Sequence, residues 1–452
     1  MMRARPSFAA VAGPWIAASL CACSSGSPSA PHSATPPASP ADGGTAPSHD
    51  AKDGAPPASE SSGAAVDGAS NSPVDSSTGS AGNLGPAAFA SGDLDPASHG
   101  GTITFEQIGA AGWYPSIRDP SQGPCDAYQS STCCLATDTI AGDALTPWDE
   151  ELVMTLRGPM TVKQIAVYQP DTQASAWDRV AAWDDRAPSA ETGLAFSGNA
   201  TPNTPFAGGV GSECQVNLAT DKPFGCGPGS VPYCAANAET NTWGWAGSKL
   251  FVLLAKMEHA GDAEAPAACS TTDTGNWYDA PWVGLAVGEL ARAGAYASCQ
   301  CFAKDPSDWS LADGCGQFNV FEVVNDNDSY KNLDIFSTDL IDYSGYVGQG
   351  PCGSACDAGG LGEAVDLVDK ATDTEARTGA VAVPEGGPGA ALRRPESGYR
   401  YFLILLDVPS RSVQLGLVHP QNIPAALAPV LPNLPASFAA SAESAILGLR
   451  LP

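Results

Sequence analysis

Gln317, Asn319 and Glu322 lie in one strand-like run, GCGQFNVFEVVN, from Gly314 to Asn325. Side chains of a strand alternate between its faces, so Gln317 and Asn319 share one. Glu322 has the wrong parity and joins them only if a one-residue bulge lies between. Retaining glycosidases use two carboxyls about 5–5.5 Å apart, a nucleophile and an acid/base. A strand reading E-x-D-x-x-E supplies that pair, with the central Asp tuning the first Glu. Here Glu322 keeps the acid/base carboxylate. Gln317 stands at the nucleophile position, where an amide cannot form a glycosyl ester. Asn319 cannot carry the charge of an assisting acid, but both amides can exchange hydrogen bonds with sugar hydroxyls. The plain alternative is a solvated sheet face.

Sugars stack their C–H faces on aromatic rings. Trp243, Trp245 and Trp282 are candidate substrate-binding residues, and Trp277 and Tyr278 lie in similar Gly/Asn/Ser-rich segments. Each ring taken singly is more readily read as core or loop packing.

The elements that must position these residues read as strands. ELVMTLRGPMTVKQIAVYQP, Glu151 to Pro170, alternates on both sides of Gly158-Pro159, as a hairpin does. GTITFEQIG from Gly101, WDRVAAWDD, SKLFVLLAKMEH, APWVGLAVGEL, YRYFLILLDV and RSVQLGLV are further strands, and Pro435–Leu449 has the pattern of a short helix. Many short strands joined by Gly- and Pro-rich loops predict an all-β sandwich or barrel.

The N-terminus reads as an export signal, with Arg3 and Arg5 before an apolar stretch from Phe8 to Leu20 that is short for a membrane span. It ends in LCAC and resembles a bacterial lipoprotein signal, which implies lipidation of Cys23 and anchoring to a membrane, the outer membrane or cell surface. The expected organisation is a signal over 1–22, a disordered Ala/Ser/Pro/Gly tether over 23–100, a β-sandwich domain over 101–420 and a C-terminal tail over 421–452. Beyond the signal and Cys23, twelve of the 14 cysteines remain, all between Cys125 and Cys356. An even number in an exported chain predicts up to six disulfides. A zinc site at Cys299, Cys301 and Cys315 has no recognised spacing. The oxygen-rich run Asn325–Asp334 lacks the glycine and terminal Glu of a calcium loop. No metal or cofactor is expected. The net charge of −28 argues against nucleic acid and is compatible with a neutral polysaccharide partner.

Several blocks together resemble a known family. GCGQFNVFEVVN is similar to the GCGEFDLFEVLN block of the fungal Tos-type cell-wall proteins, a family grouped with glycosyl hydrolases. SCQC before it, WGWAGSKLFVLLAKMEH, PWVGLAVGELARAGAYASC, EELVMTLRGPMTVKQIAVYQP and FEQIGAAGWYPSI resemble further blocks in the same order, over roughly residues 102–345. The E-x-D-x-x-E strand is itself similar to that of family 16 glycoside hydrolases. That resemblance implies a concanavalin-like β-jelly roll with a concave glycan cleft acting on β-glucan, 1,3-linked. By position it implies Gln317 in the nucleophile's place, Asn319 in the assisting acid's and Glu322 in the acid/base's. Three functions stay open: a β-glucanase using another acid (Glu258, Asp334 or Asp339), an inactive glycan-binding lipoprotein, or a surface adhesin.

Overall fold

The computed structural model describes residues 83–89, 94, 101–105, 112–118, 134–140, 145–198, 205–226, 234, 240–269, 279–292, 316–323, 336–339, 381–382 and 394–447. Contacts divide the chain into residues 1–73 and 74–452, and all described residues lie in the second unit. The signal, Cys23, Trp277, Tyr278, Asp334, the Asn325–Asp334 loop and the Cys299/Cys301/Cys315 group lie outside the described residues.

Strands dominate. In chain order they are β1 Gly101–Phe105, β2 Gly112–Arg118, β3 Cys134–Ile140, β4 Leu152–Arg157, β5 Met160–Asp171, β6 Ala176–Asp184, β7 Ala195–Ser197, β8 Gly209–Val210 and β9 Gln215–Ala219. They continue as β10 Lys249–Lys256, β11 Trp282–Val287, β12 Gln317–Val323, β13 Phe336–Asp339, β14 Val381–Ala382, β15 Arg400–Asp407, β16 Ser412–Val418 and β17 Ser437–Ala439. Short helices cover Gly288–Arg292 and Ser441–Leu447. A nine-stranded sheet runs β14-β1-β16-β15-β10-β5-β6-β17 with β8 on β5, a six-stranded sheet runs β13-β12-β11-β4-β9-β7, and β2 pairs with β3. All pairings between these strands are antiparallel.

The two larger sheets pack on each other through alternate residues. Leu152, Met154 and Leu156 of β4 and Phe318, Val320 and Phe321 of β12 share a core with Phe251 and Leu253 of β10 and Phe402 and Ile404 of β15. Phe321 meets Phe402 at a centroid distance of 5.1 Å. This two-sheet packing is the sandwich that the alternation predicts.

The central strands of the nine-stranded sheet are buried on both faces, which accounts for their unbroken apolar runs. Leu250, Val252 and Leu254 of β10 and Tyr401, Leu403 and Leu405 of β15 face a second core with Leu427, Val430, Leu431, Leu434, Phe438 and Ile446. The segment expected as a tail is therefore a packed layer containing β17 and the last helix. Leu84 and Phe89, inside the expected tether, pack on the same core. Gly85 donates to the Asn433 carbonyl at 2.9 Å, and Gln164 Nε2 donates back to the Gly85 carbonyl at 2.9 Å. Two disulfides, Cys214–Cys269 and Cys226–Cys234, tie loops together. The other eight of the twelve cysteines lie outside the residues whose side chains are described.

The C-terminal layer carries a pH response. Trp177 Nε1 donates to Glu443 Oε2 at 3.1 Å, and Trp177 stacks on Phe438. Burial first, then Asp407 beside it, push the Glu443 carboxyl up to about 7. A raised carboxyl binds more protons in the folded chain than in the unfolded one. Its contribution is complete below the ordinary Glu range and is lost as pH rises through 7. Urea unfolding is expected to show about 1 kcal/mol less stability at pH 8 than at pH 5 from this group, after discount for its partial exposure. Glu443→Gln should remove that part of the slope. An unchanged slope in the variant would assign it to other groups.

Candidate functional site

The six-stranded sheet turns a polar face away from the core. Three of its strands bring Arg157, Trp282 and Glu322 into one cross-strand row. The next row holds Asn217, Thr155, Gly284 and Asn319, continuing to Asp339 at the edge. At strand spacing, β9 to β13 is about 19 Å of sheet.

The parity conflict in β12 is resolved by a bulge. Asn319 pairs with Gly284 but Phe321 pairs with Val283, so two steps on β12 face one on β11. The pairing with β13 shifts at the same place, between Asn319 and Glu322. Val320 is the additional residue, and it goes into the core beside Phe318 and Phe321. Glu322 returns to the outer face.

There the three residues join. Gln317 Nε2 donates to Asn319 Oδ1 at 3.1 Å, and Asn319 Nδ2 donates to Glu322 Oε2 at 3.1 Å. Glu322 Oε1 accepts from Arg157 Nη2 at 3.4 Å. Each carboxylate oxygen thus has a donor. Asn319 is buried, while Gln317 and Glu322 are half-buried. Beside it, Thr155 Oγ1 and Gln215 Nε2 both donate to Asn217 Oδ1, at 2.7 and 3.3 Å. The face is a band of amides, a hydroxyl and one ion pair.

Gly158-Pro159 is not the hairpin turn expected, because β4 and β5 lie in different sheets, and Arg157 just before it is a site residue that its sequence block does not reveal. Its Nε donates to the Ala280 carbonyl at 3.1 Å, and its guanidinium lies 5.3 Å from the Trp282 ring centroid. A cation ending a strand that is otherwise apolar but for Thr155 is the signal that it has a partner across the sheet.

The tryptophans divide. Trp245 is 2 % exposed and packs edge-on against Phe251 in the core, which corrects its expected substrate-binding role. Trp282 borders the site but is only 3 % exposed, so it supports Arg157 and offers no open ring face. Trp243 is 39 % exposed. It lies beyond β9, with its ring 4.5 Å from Phe224 and 5.3 Å from the Arg292 guanidinium. Of the candidate replacement acids, Glu258 is taken up elsewhere: Thr161 Oγ1 donates to it at 2.6 Å and Lys256 pairs with it at 3.2 Å. Asp339 is the register partner of Asn319.

Fold and site together define an antiparallel two-sheet protein with a hydrogen-bonding outer face. Residues 101–170 match the family model described as cell wall protein YJL171C/Tos1, N-terminal, a fungal cell-wall family. The resemblance to the Tos-type family is thereby borne out over β1 to β5, the stretch that includes Arg157; the match ends before β12. No curated protein and no solved structure matches the chain.

Proposed function

We propose that this is an exported, cell-wall-associated protein that binds a β-glucan, 1,3-linked, on the outer face of its six-stranded sheet. In this reading the sandwich is a jelly roll of the glycoside-hydrolase type that has kept the glycan face and lost hydrolysis. Trp243 offers an exposed ring for a sugar, and lipidation at Cys23 anchors the chain to its membrane.

The relay Gln317–Asn319–Glu322–Arg157 carries the proposal. A general acid must hold a proton to give away, whereas Glu322 receives donors on both oxygens. Gln317 and Glu322, the half-buried members, present donors and acceptors that match sugar hydroxyls, while Thr155, Asn217 and Asn319 are buried behind them.

The full chain is expected to bind soluble β-1,3-glucan without releasing reducing ends. Glu322→Gln should weaken binding about tenfold, the cost of one hydrogen bond to a charged group. Release of reducing ends that disappears in Glu322→Gln would overturn the binding reading. The register pairing of Asp339 with Asn319 favours one alternative, a hydrolase in which Asp339 replaces the missing nucleophile. Loss of release in Asp339→Asn as well would establish it.

A further inference from the structure

A second polar cluster sits at the start of β11. Asp279 has φ of 65°, a left-handed conformation unusual for a residue with a side chain. It is held from several sides. Asp279 Oδ1 accepts from the Ala260 amide at 2.8 Å and from Arg394 Nη2 at 2.6 Å. Asp279 Oδ2 lies 2.8 Å from His259 Nδ1, and the Asp279 amide donates to Ser212 Oγ at 3.3 Å. Arg394 is 3 % exposed and also donates to the carbonyls of Met257, Glu258 and Asp279. On the far side of the imidazole, His259 Nε2 faces Glu396 Oε2 at 3.5 Å.

This cluster is joined to the glycan face. The residue after Asp279 is Ala280, whose carbonyl accepts from Arg157 Nε at 3.1 Å. Two residues further is Trp282, the register partner of both Arg157 and Glu322. Fixed groups therefore run from His259 through Asp279 and Ala280 to Arg157 and Glu322.

We propose that His259 is a proton-operated positioning residue for this face: as an imidazolium it ties Asp279 to the Arg394–Glu396 segment and so aims Arg157 at Glu322. The proposal rests on the glycan-binding reading of the face. The imidazolium donates from both nitrogens and satisfies both carboxylates. The neutral ring with its proton on Nδ1 keeps Asp279 but turns a lone pair toward Glu396, so raising the pH releases the Glu396 side. Other charged groups among the described residues have partners of their own. Asp262 accepts from the His259 amide at 3.2 Å, and Arg394 balances Asp279. Glu258 is paired with Lys256, which also bonds Glu264 at 2.9 Å.

The test is hydrogen exchange of the full chain at pH 5.5 and pH 8, corrected for intrinsic rates, reading the peptides that cover 279–287 and 394–400. The wild type should lose protection at pH 8 by about tenfold in 394–400, the side that the neutral ring releases, and by a smaller factor in 279–287, where Asp279 keeps its bonds from Ala260 and Arg394. His259→Gln should show no such pH dependence. Glu396→Gln, at a half-exposed position that the fold tolerates, should flatten the response in 394–400. A pH response that persists in both variants overturns the proposal. Soluble β-1,3-glucan is titrated in parallel, with tighter wild-type binding expected at pH 5.5 and no pH dependence in His259→Gln. If exchange behaves as expected and no glucan binds at either pH, the brace stands and the glycan reading fails. If glucan binds with a pH dependence that His259→Gln leaves intact, the glycan reading stands and the brace fails.

Discussion

Glu151→Ala is expected to cost about 3–5 kcal/mol of stability, the usual consequence of leaving a buried charge without its partner. Arg292 in the helix after β11 is fully buried. Its Nη1 and Nη2 donate to the two oxygens of Glu151 at 2.5 and 3.0 Å. The Glu151 carboxylate also accepts from the Gly244 amide at 2.5 Å, and the guanidinium lies 3.9 Å from the Phe224 ring centroid. Removing Glu151 strands the cation and one amide together. Arg292→Met in the Glu151→Ala background should recover most of the loss, because the uncompensated charge is gone and the Met side chain fills its place. Urea unfolding of the two single variants and the double variant measures this. Additive losses would mean that the pair is not the unit that stabilises this end of the sheet.

Gly284→Ala should reach the candidate site through a neighbour. A Cβ at Gly284 would lie 2.0 Å from Trp282 Cζ2 and 2.5 Å from Cε2. The indole covers the space that the missing side chain leaves, under the Arg157 guanidinium. With alanine there the ring must move, and Arg157 loses its support. The expected result is a stability loss of about 2–3 kcal/mol from overpacking and at least a tenfold loss of glucan binding. Gly416→Ala in β16 is the control, since its Cβ would meet Leu403 at an ordinary 3.5 Å. Its cost should stay below about 1 kcal/mol. Equal costs for the two variants would reject the close-approach argument. A stability loss with binding retained would separate Trp282 from the site.

Strand identity was legible along much of the chain because its two signals, alternation and a short apolar run bounded by turn residues, are local properties. The runs that became β4, β5, β6, β10, β11, β12, β15 and β16 carry them in their own residues. The bulge in β12 was legible for a related reason. Two amides and a carboxylate at Gln317, Asn319 and Glu322 share a face only if one residue is added, and Val320 is that residue. Composition was a poorer guide at the ends. Residues 83–89 offer only Leu84 and Phe89 as large apolar groups, in a stretch otherwise of Asn, Gly, Pro and Ala that reads like the tether before it. They take up a defined path because Asn433, Gln164 and Arg186 supply partners for their backbone. The tail differs likewise: Leu427, Val430, Leu431 and Leu434 have helical spacing, but Pro429 and Pro432 rule out a continuous helix, and the apolar back of β10 and β15 gives them a surface.

The aromatic residues show the same division at the site. Trp243 and Trp245 are two positions apart in one Gly-rich segment, yet one is exposed and the other is core. Nothing in their immediate sequence separates them, because the difference is set by Phe251 on one side and Arg292 on the other. By itself, the sequence determined the strands, the polar triplet and the bulge it needs, since each depends on residues close together in the chain. Only the tertiary structure decided that Arg157 faces Glu322 across 165 positions, that His259 meets Asp279, and which tryptophans are open. Those contacts follow from the order of strands in the sheets, which is settled by the packing of the two cores as a whole.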